Sequence, residues 1–521
     1  MIRSRLLIPL SLLCMLAAPR LAAQCPDGSA PPCRPRPATG PVLNSIAVLY
    51  FENSSQDTSD AYLADGLTEE LINTLGRNTH LVVKPQYSVR RYRRTQTTDP
   101  ITMARALNVS HLLTGSVRRW GVNRVRVTVE LIQARTGTRI WGESYDIATT
   151  DPLEIQQQIA TAVTVRLVGQ LSGAERASLA QFPTKSREAY DHFLRGLYYM
   201  GPRDRVGLLR ALQEFEAAAR IDPSFARAHA RIALVCGILL FQGQDSVTAR
   251  GLLAQGITAV DRSLQLDSTN SDTWLARGRL IDMQRGALDD VLTSYKRAIA
   301  LDSNNADAHH FYGILLLHNQ ADWTGALPAL RRAATLDPGR LNTLNSLGIA
   351  EFAGRNVPAA LRWWDSVVAL HPMTSAPALH MALVNRASVR LVMLSDTVGS
   401  PQDAAELTRL GDERRSHGIM ALLALRRGDS AAARTELDLL WRTSNFPKNG
   451  CDPLGAVVLV AMKERERALS CIEGADPATM QPWWFAYFHL PFFDPIRDEL
   501  RFRTAIERLR SAQRQTHVPE N

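Results

Sequence analysis

Four arginines surround one tyrosine in the run VRRYRR at position 89, and Arg90, Arg91, Arg93 and Arg94 are the best candidates in the chain for holding an anion or an acidic partner surface. A guanidinium offers a planar fork of donors that matches phosphate or carboxylate oxygens. The run lies between a strand and a helix, where solvated charge is ordinary, so a bland reading stands beside the functional one. The six cysteines are the other reactive groups. Cys25 and Cys33 bracket a tight proline-rich loop and Cys451 is near Cys471, so in an oxidising compartment these are the expected disulfides, leaving Cys236 buried and free in a helix. No histidine or second cysteine pair sits at zinc-ligand spacing. There is no GxxxxGK[ST] or GxGxxG at a strand-to-helix junction, no GxSxG elbow and no HExxH pair. His309 and His310 fall inside a helical stretch and are expected to be half-exposed. No catalytic residue, metal ligand or cofactor site is expected.

The elements around these residues begin with an export signal. Arg3 and Arg5 precede LLIPLSLLCMLAA, and small residues lead to a cut between Ala23 and Gln24, giving a signal peptide over 1–23. The apolar stretch is shorter than the roughly 20 residues a membrane span needs, and no later segment qualifies, so no transmembrane helix is expected in the mature chain. A lipid anchor is the rival ending. It needs a small residue before its cysteine, whereas Leu13 precedes Cys14 and Gln24 precedes Cys25. A proline-rich linker covers 24–44. The formal charge of +9 adds little, because an exported chain does not meet chromosomal DNA; no nucleic acid is expected. The expected location is periplasmic or secreted, in a bacterial envelope.

Residues 45–171 read as an α/β domain. SIAVLYF is an unbroken apolar run, as for a strand buried on both faces. YLADGLTEELINTLGR spaces Leu63, Leu67, Leu71 and Leu75 four apart on one helical stripe. HLVVK and HLLTGSVRR read as strands flanking the helix ITMARALNV. RVRVTVELI alternates with Val125, Val127, Val129 and Leu131 inward, GTRIWGESYD completes a hairpin, and PLEIQQQIATAVTVRLVGQL closes the domain as a helix.

From 187 to 375 the phrases ARIDPS, QLDST, ALDSN, TLDPG and ALHPM recur. Counted from Asp222, Asp267, Asp302, Asp337 and His371, the steps are 45, 35, 35 and 34 residues. The last three match a helical-hairpin repeat of about 34 residues. Ala211, Phe215 and Ala218 share one helical face, as do Ala326, Leu330 and Ala333, so small residues admit neighbours and large ones fill the groove. Gly278, Gly313 and Gly348 permit close backbone contact in the first helix of each pair, and Tyr295 and Trp364 are read as core residues. The second unit is stretched near Gly243 to Gly256. Residues 376–515 read as degenerate hairpins, at 403–442 (turning at 426–429) and 453–474, closed by an aromatic segment. That segment is read as a hydrophobic cap; the alternative is an exposed docking patch of Trp483, Trp484, Phe488 and Phe492.

The repeat positions match the tetratricopeptide pattern closely over 187–375. IAVLYFEN, YLADGLTEELINTL, LLTGSVRR, RVRVTVELI and TGTRIWGESYD, in that order, resemble the TolB amino-terminal-like, FlgO-type envelope domain. That resemblance implies an envelope or sensory accessory part. In many relatives a CadC-type winged helix, a kinase or a cyclase domain precedes it, and here an export signal stands in that place. The resulting expectation is an α/β amino-terminal domain plus an all-α tetratricopeptide-like solenoid: an exported non-enzymatic scaffold that binds other proteins or peptides on the concave repeat face. The alternative is a sensor whose α/β domain binds a small molecule or cell-wall fragment and regulates partner binding.

Overall fold

The computed structural model describes residues 42–515 except 56–59, 77, 79, 91, 94–98, 120–123, 149–151, 180–181, 202–203, 243–244, 285, 371–376, 443–451 and 476–481. The signal peptide, most of the linker with Cys25 and Cys33, Arg91, Arg94, Cys451 and the helix stop at His371 lie outside the described residues.

The α/β domain comprises β1 (Val42–Val48), β2 (Glu52–Asn53), α1 (Ala61–Gly76), β3 (Val82–Val83), α2 (Gln86–Arg90), α3 (Pro100–Leu107), β4 (Val109–Arg119), β5 (Arg124–Gln133), β6 (Thr138–Ala148) and α4 (Pro152–Val168). The sheet runs β3-β1-β4-β5-β6, with β2 beside β4. β1 is parallel to β3 and β4, while β4, β5 and β6 are antiparallel with Val117 opposite Val127 and Val127 opposite Tyr145. The alternation of β5 is reproduced, with Val125, Val127, Val129 and Leu131 all buried. The leucine stripe of α1 is buried too, and α1 lies across β1, β3 and β4. β1 begins at Val42, inside the expected linker, and ends at Val48, short of the apolar run. The HLVVK segment contributes only two paired residues. α2 forms where a loop was expected, and α5 (Gly173–Leu179) follows α4.

The rest is helical: α6 (Arg187–Met200), α7 (Arg205–Ile221), α8 (Ala226–Phe241), α9 (Ser246–Leu266), α10 (Ser271–Met283), α11 (Leu288–Leu301), α12 (Ala306–Gln320), α13 (Trp323–Leu336), α14 (Leu341–Ala353), α15 (Val357–Ala369), α16 (Pro377–Met393), α17 (Ser400–Arg409), α18 (Glu413–Arg426), α19 (Ser430–Arg442), α20 (Pro453–Ala461), α21 (Arg465–Glu473), α22 (Pro482–Phe488), a 3-10 turn (Pro491–Ile496) and α23 (Leu500–Gln515). The recurrent aspartates have a local cause. Each of Asp222, Asp267 and Asp302 caps its helix in an extended conformation, then accepts the amide N–H two residues on, at 2.8 to 2.9 Å. This Asx turn reverses the chain into the next hairpin. The long step in the repeat is α9, at 21 residues.

The glycines work as expected. A Cβ on Gly348 would lie 2.3 Å from Trp364 Nε1, and one on Gly278 would lie 2.6 Å from the Tyr295 ring. Both aromatic side chains are buried in the stack. First helices pack along the stack, α8 on α10, α12 on α14, α14 on α16, α16 on α18 and α18 on α20, more closely than second helices do, so first helices form the inner face. Towards the carboxyl end the stack curls until α22 packs on α12. Phe352 of α14 then meets Phe492 with ring centroids 4.8 Å apart, and Arg355 donates to Asp494 at 2.6 Å. Trp484, Phe488 and Phe492 are buried, as a cap requires; the Trp483 side chain lies outside the described residues. Among the described residues, no helix is long and apolar enough to cross a membrane.

Candidate partner-binding face

The inner face of the first repeats is covered. α1 uses its leucine stripe on the sheet and turns a different face, Tyr62, Gly66, Glu69 and Glu70, towards the solenoid. Gly66 lets α6 close in; a Cβ there would lie 2.9 Å from Leu194. Tyr62 donates its hydroxyl hydrogen to Asp191 Oδ1 at 2.7 Å. The centre of the contact is Glu70, whose side chain is 0% exposed, held by both terminal nitrogens of Arg227 on α8 at 2.6 Å each. Burial alone would lower the Arg227 guanidinium, but Glu70 beside it lifts it above its ordinary value. Arg227 also lies 5.0 Å from the Phe193 ring centroid, and Tyr190 points its hydroxyl at Glu70 and Gln156.

Glu69 is the strained member. Burial pushes its carboxyl up to about 7, against the pull of Arg231 and Arg90 and a hydrogen bond donated by Tyr50, with neighbouring Glu70 adding to the rise. Arg231, one turn beyond Arg227 on α8, is paired with Asp272 of α10 at 2.8 Å. Further along the inner face, Arg279 stands 3.9 Å from the centroid of Phe311, donates to Gly237 O at 3.3 Å and leaves its Nε without a partner. Arg340 is paired with Asp307. Phe241, at the end of α8, is 71% exposed on the rim and its ring lies 6.0 Å from the Arg279 guanidinium.

The two described arginines of the basic run turn inward. Arg93 pairs with Asp65 and lies 5.4 and 5.5 Å from the ring centroids of Tyr50 and Tyr198. Arg90 closes α2, and a Cβ on Gly201, the cap of α6, would lie 3.4 Å from its Nη2. Both belong to the contact between the α/β domain and the first repeat. At the far edge of that domain, Ser88 of α2 donates to Leu336 O at the end of α13. Cys471 is disulfide-bonded, while its expected partner Cys451 is not among the described residues. Cys236 is buried and free, its thiol pushed up to about 12 by burial and then Glu216. His310 differs from expectation: it is fully buried and hydrogen-bonded with Thr343 at 2.9 Å, because the next first helix, α14, packs over it. His309 keeps partial exposure. Among the described residues no group of three or more His, Cys, Asp or Glu side chains could hold a metal.

Residues 43–162 match the family described as HilA/YgeH-like transcriptional regulator, second domain. That match lends no support to the TolB amino-terminal type. A curated relative, "Putative adenylate cyclase 3" of Rhizobium meliloti (strain 1021), is 31% identical over 195 residues, which is 37% of this chain and 33% of that protein. The chain thus spans about a third of the length of the curated relative it matches. Among solved structures, PilW, a type IV pilus biogenesis factor, overlaps 42% of this chain and 95% of its own at 16% identity and a TM-score of 0.34. The Pseudomonas aeruginosa pilF product overlaps 42% and 92% at 20% identity and 0.34, and YrrB, a TPR protein with an unusual peptide-binding site, 42% and 96% at 15% and 0.27. These superpositions are too loose to bear on function. The chain is an α/β domain similar to the second domain of HilA-type regulators, followed by a tetratricopeptide-like solenoid.

Proposed function

We propose that this protein is an exported, non-enzymatic scaffold that binds partner proteins through its solenoid, with the α/β domain as an accessory part, and that it works in the bacterial envelope. The observation that carries this reading is that the inner face of α6 and α8 already grips a helix, α1, through Tyr190, Leu194 and Arg227. A surface built of first helices, with aromatic side chains beside arginines, suits helix-in-groove recognition. Export rests on the basic and apolar start of the sequence.

Partner capture from envelope extracts tests it, using the intact mature chain with a photocrosslinking residue at Phe241 on the inner rim or at Val206 on α7, a second helix, where it is 63% exposed. Crosslinked partner from position 241 and not 206 is the expected result. Capture from 206 alone would place recognition on the outer face and end the inner-face reading.

A second reading, ligand sensing by the α/β domain, is favoured by the ion pair between Glu70 and Arg227, which ties that domain to the solenoid. A stoichiometric small molecule that shifts the thermal unfolding of the intact chain, and loses its effect in Arg227→Met, would favour it.

A further inference from the structure

We infer that the inner face of the first two repeats is a seat for an acidic amphipathic helix, and that α1 of this same chain occupies it until such a partner displaces it. This rests on the scaffold reading and adds the chemistry of the partner.

Three features of the contact carry it. First, α1 has two faces: Leu63, Leu67, Leu71 and Leu75 are buried towards its own sheet, and Tyr62, Gly66 and Glu70 meet α6 and α8. Second, polar pairs lie beside the apolar contact of Gly66 with Leu194: Tyr62 on Asp191, Arg93 on Asp65 and Glu70 on Arg227. A buried ion pair contributes little net stability, because desolvation of both ions offsets their attraction, yet either ion left alone is strongly disfavoured. Arg227 therefore demands a carboxylate without holding one particular carboxylate tightly, and an incoming helix that brings its own satisfies the same need. Third, at the far edge of the domain Ser88 donates to Leu336 O, and beside it the half-buried Lys84 ammonium is lowered by burial and then by Arg332, a like charge on α13.

Undocking would bare Arg227 and Arg231, spaced one helical turn apart on α8, with Tyr190 and Phe193 next to them. The matching partner is a helix with a small residue at the crossing point and adjacent acidic residues one turn later, as in Gly66, Glu69 and Glu70.

The probe is a fluorescent peptide of residues 61–76, and a second with glutamine at both glutamates, titrated by anisotropy into the intact chain. Removing the self-contact raises the open fraction, so the Glu70→Gln chain should bind the acidic peptide at least about tenfold more tightly than the unaltered chain. The glutamine peptide should not bind, and excess acidic peptide should speed amide exchange in residues 61–76 of the unaltered chain. Equal affinity of the Glu70→Gln and unaltered chains, or equal binding of both peptides, would overturn the inference. Partner crosslinking at Phe241 despite that result would leave the scaffold reading standing and sink only the acidic-helix seat.

Discussion

Arg227→Met is the sharpest perturbation of the contact between the α/β domain and the solenoid. It removes both guanidinium donors from Glu70, whose side chain is fully buried next to Glu69 and also accepts from Asn73 Nδ2 at 3.0 Å and from the Tyr190 hydroxyl at 3.4 Å.

 Breaking a buried pair from one side costs about 3–5 kcal/mol, since the remaining charge is uncompensated. The double substitution Glu70→Leu with Arg227→Met removes both ions and should recover all but about 1 kcal/mol, so it costs less than Arg227→Met alone. The assay is urea unfolding of the intact chain and its three variants, read together with amide exchange over residues 61–76, so that loss of docking is separated from global unfolding. A cost below about 1 kcal/mol for Arg227→Met, or single effects that simply add, would refute the buried pair as the centre of the contact.

Glu69 gives a pH signature of the opposite sense to an ordinary carboxylate. Its folded-state value, about 7, is above the ordinary 4.5, so the folded state binds the extra proton and stability falls as pH rises from about 4.5 through about 7. Glu69→Gln should therefore stabilise the chain by about 2–3 kcal/mol at pH 8 and by little at pH 4.5, as urea midpoints at the two values would reveal. Gly348→Ala drives a methyl into the buried Trp364 ring and should cost about 1–3 kcal/mol. Gly251→Ala on α9, where a Cβ meets nothing within 4 Å, should be neutral or stabilising by up to about 1 kcal/mol, and urea midpoints read both glycine variants. Phe492→Ala, 2% exposed and packed on Phe352, should cost about 3–5 kcal/mol and make α22 accessible to limited proteolysis before the first repeats.

Periodicity reveals the one face that each element buries most, and much of the fold was legible on that basis. The leucine stripe of α1, the valines of β5 and the glycine–aromatic pairs of the repeats each bury the side that their spacing announced. What escaped was the second use of the same elements. Glu69 and Glu70 look like solvated helix charges, and Arg227 and Arg231 look the same one domain away; nothing in either segment says that they meet across 157 residues of chain. Gly66, in the middle of a helix beside that acidic pair, was the one local signal of a close approach, since glycine is costly there without a packing reason. The arginine run was ambiguous for a related reason: Arg93 stacks on Tyr50 and Tyr198, and those rings come from opposite sides of the contact. His310 looked half-exposed within its own helix because the residue that encloses it, Thr343, comes from the next first helix, α14.

Amide exchange of the intact chain, with and without a partner crosslinked at Phe241, decides whether α1 yields its seat on α6 and α8. New protection in α8 and α10 together with faster exchange in residues 61–76, as α1 leaves its seat, is the expected result. Unchanged exchange in α1 and α8, with protection confined to the second helices or to β6, would contradict it.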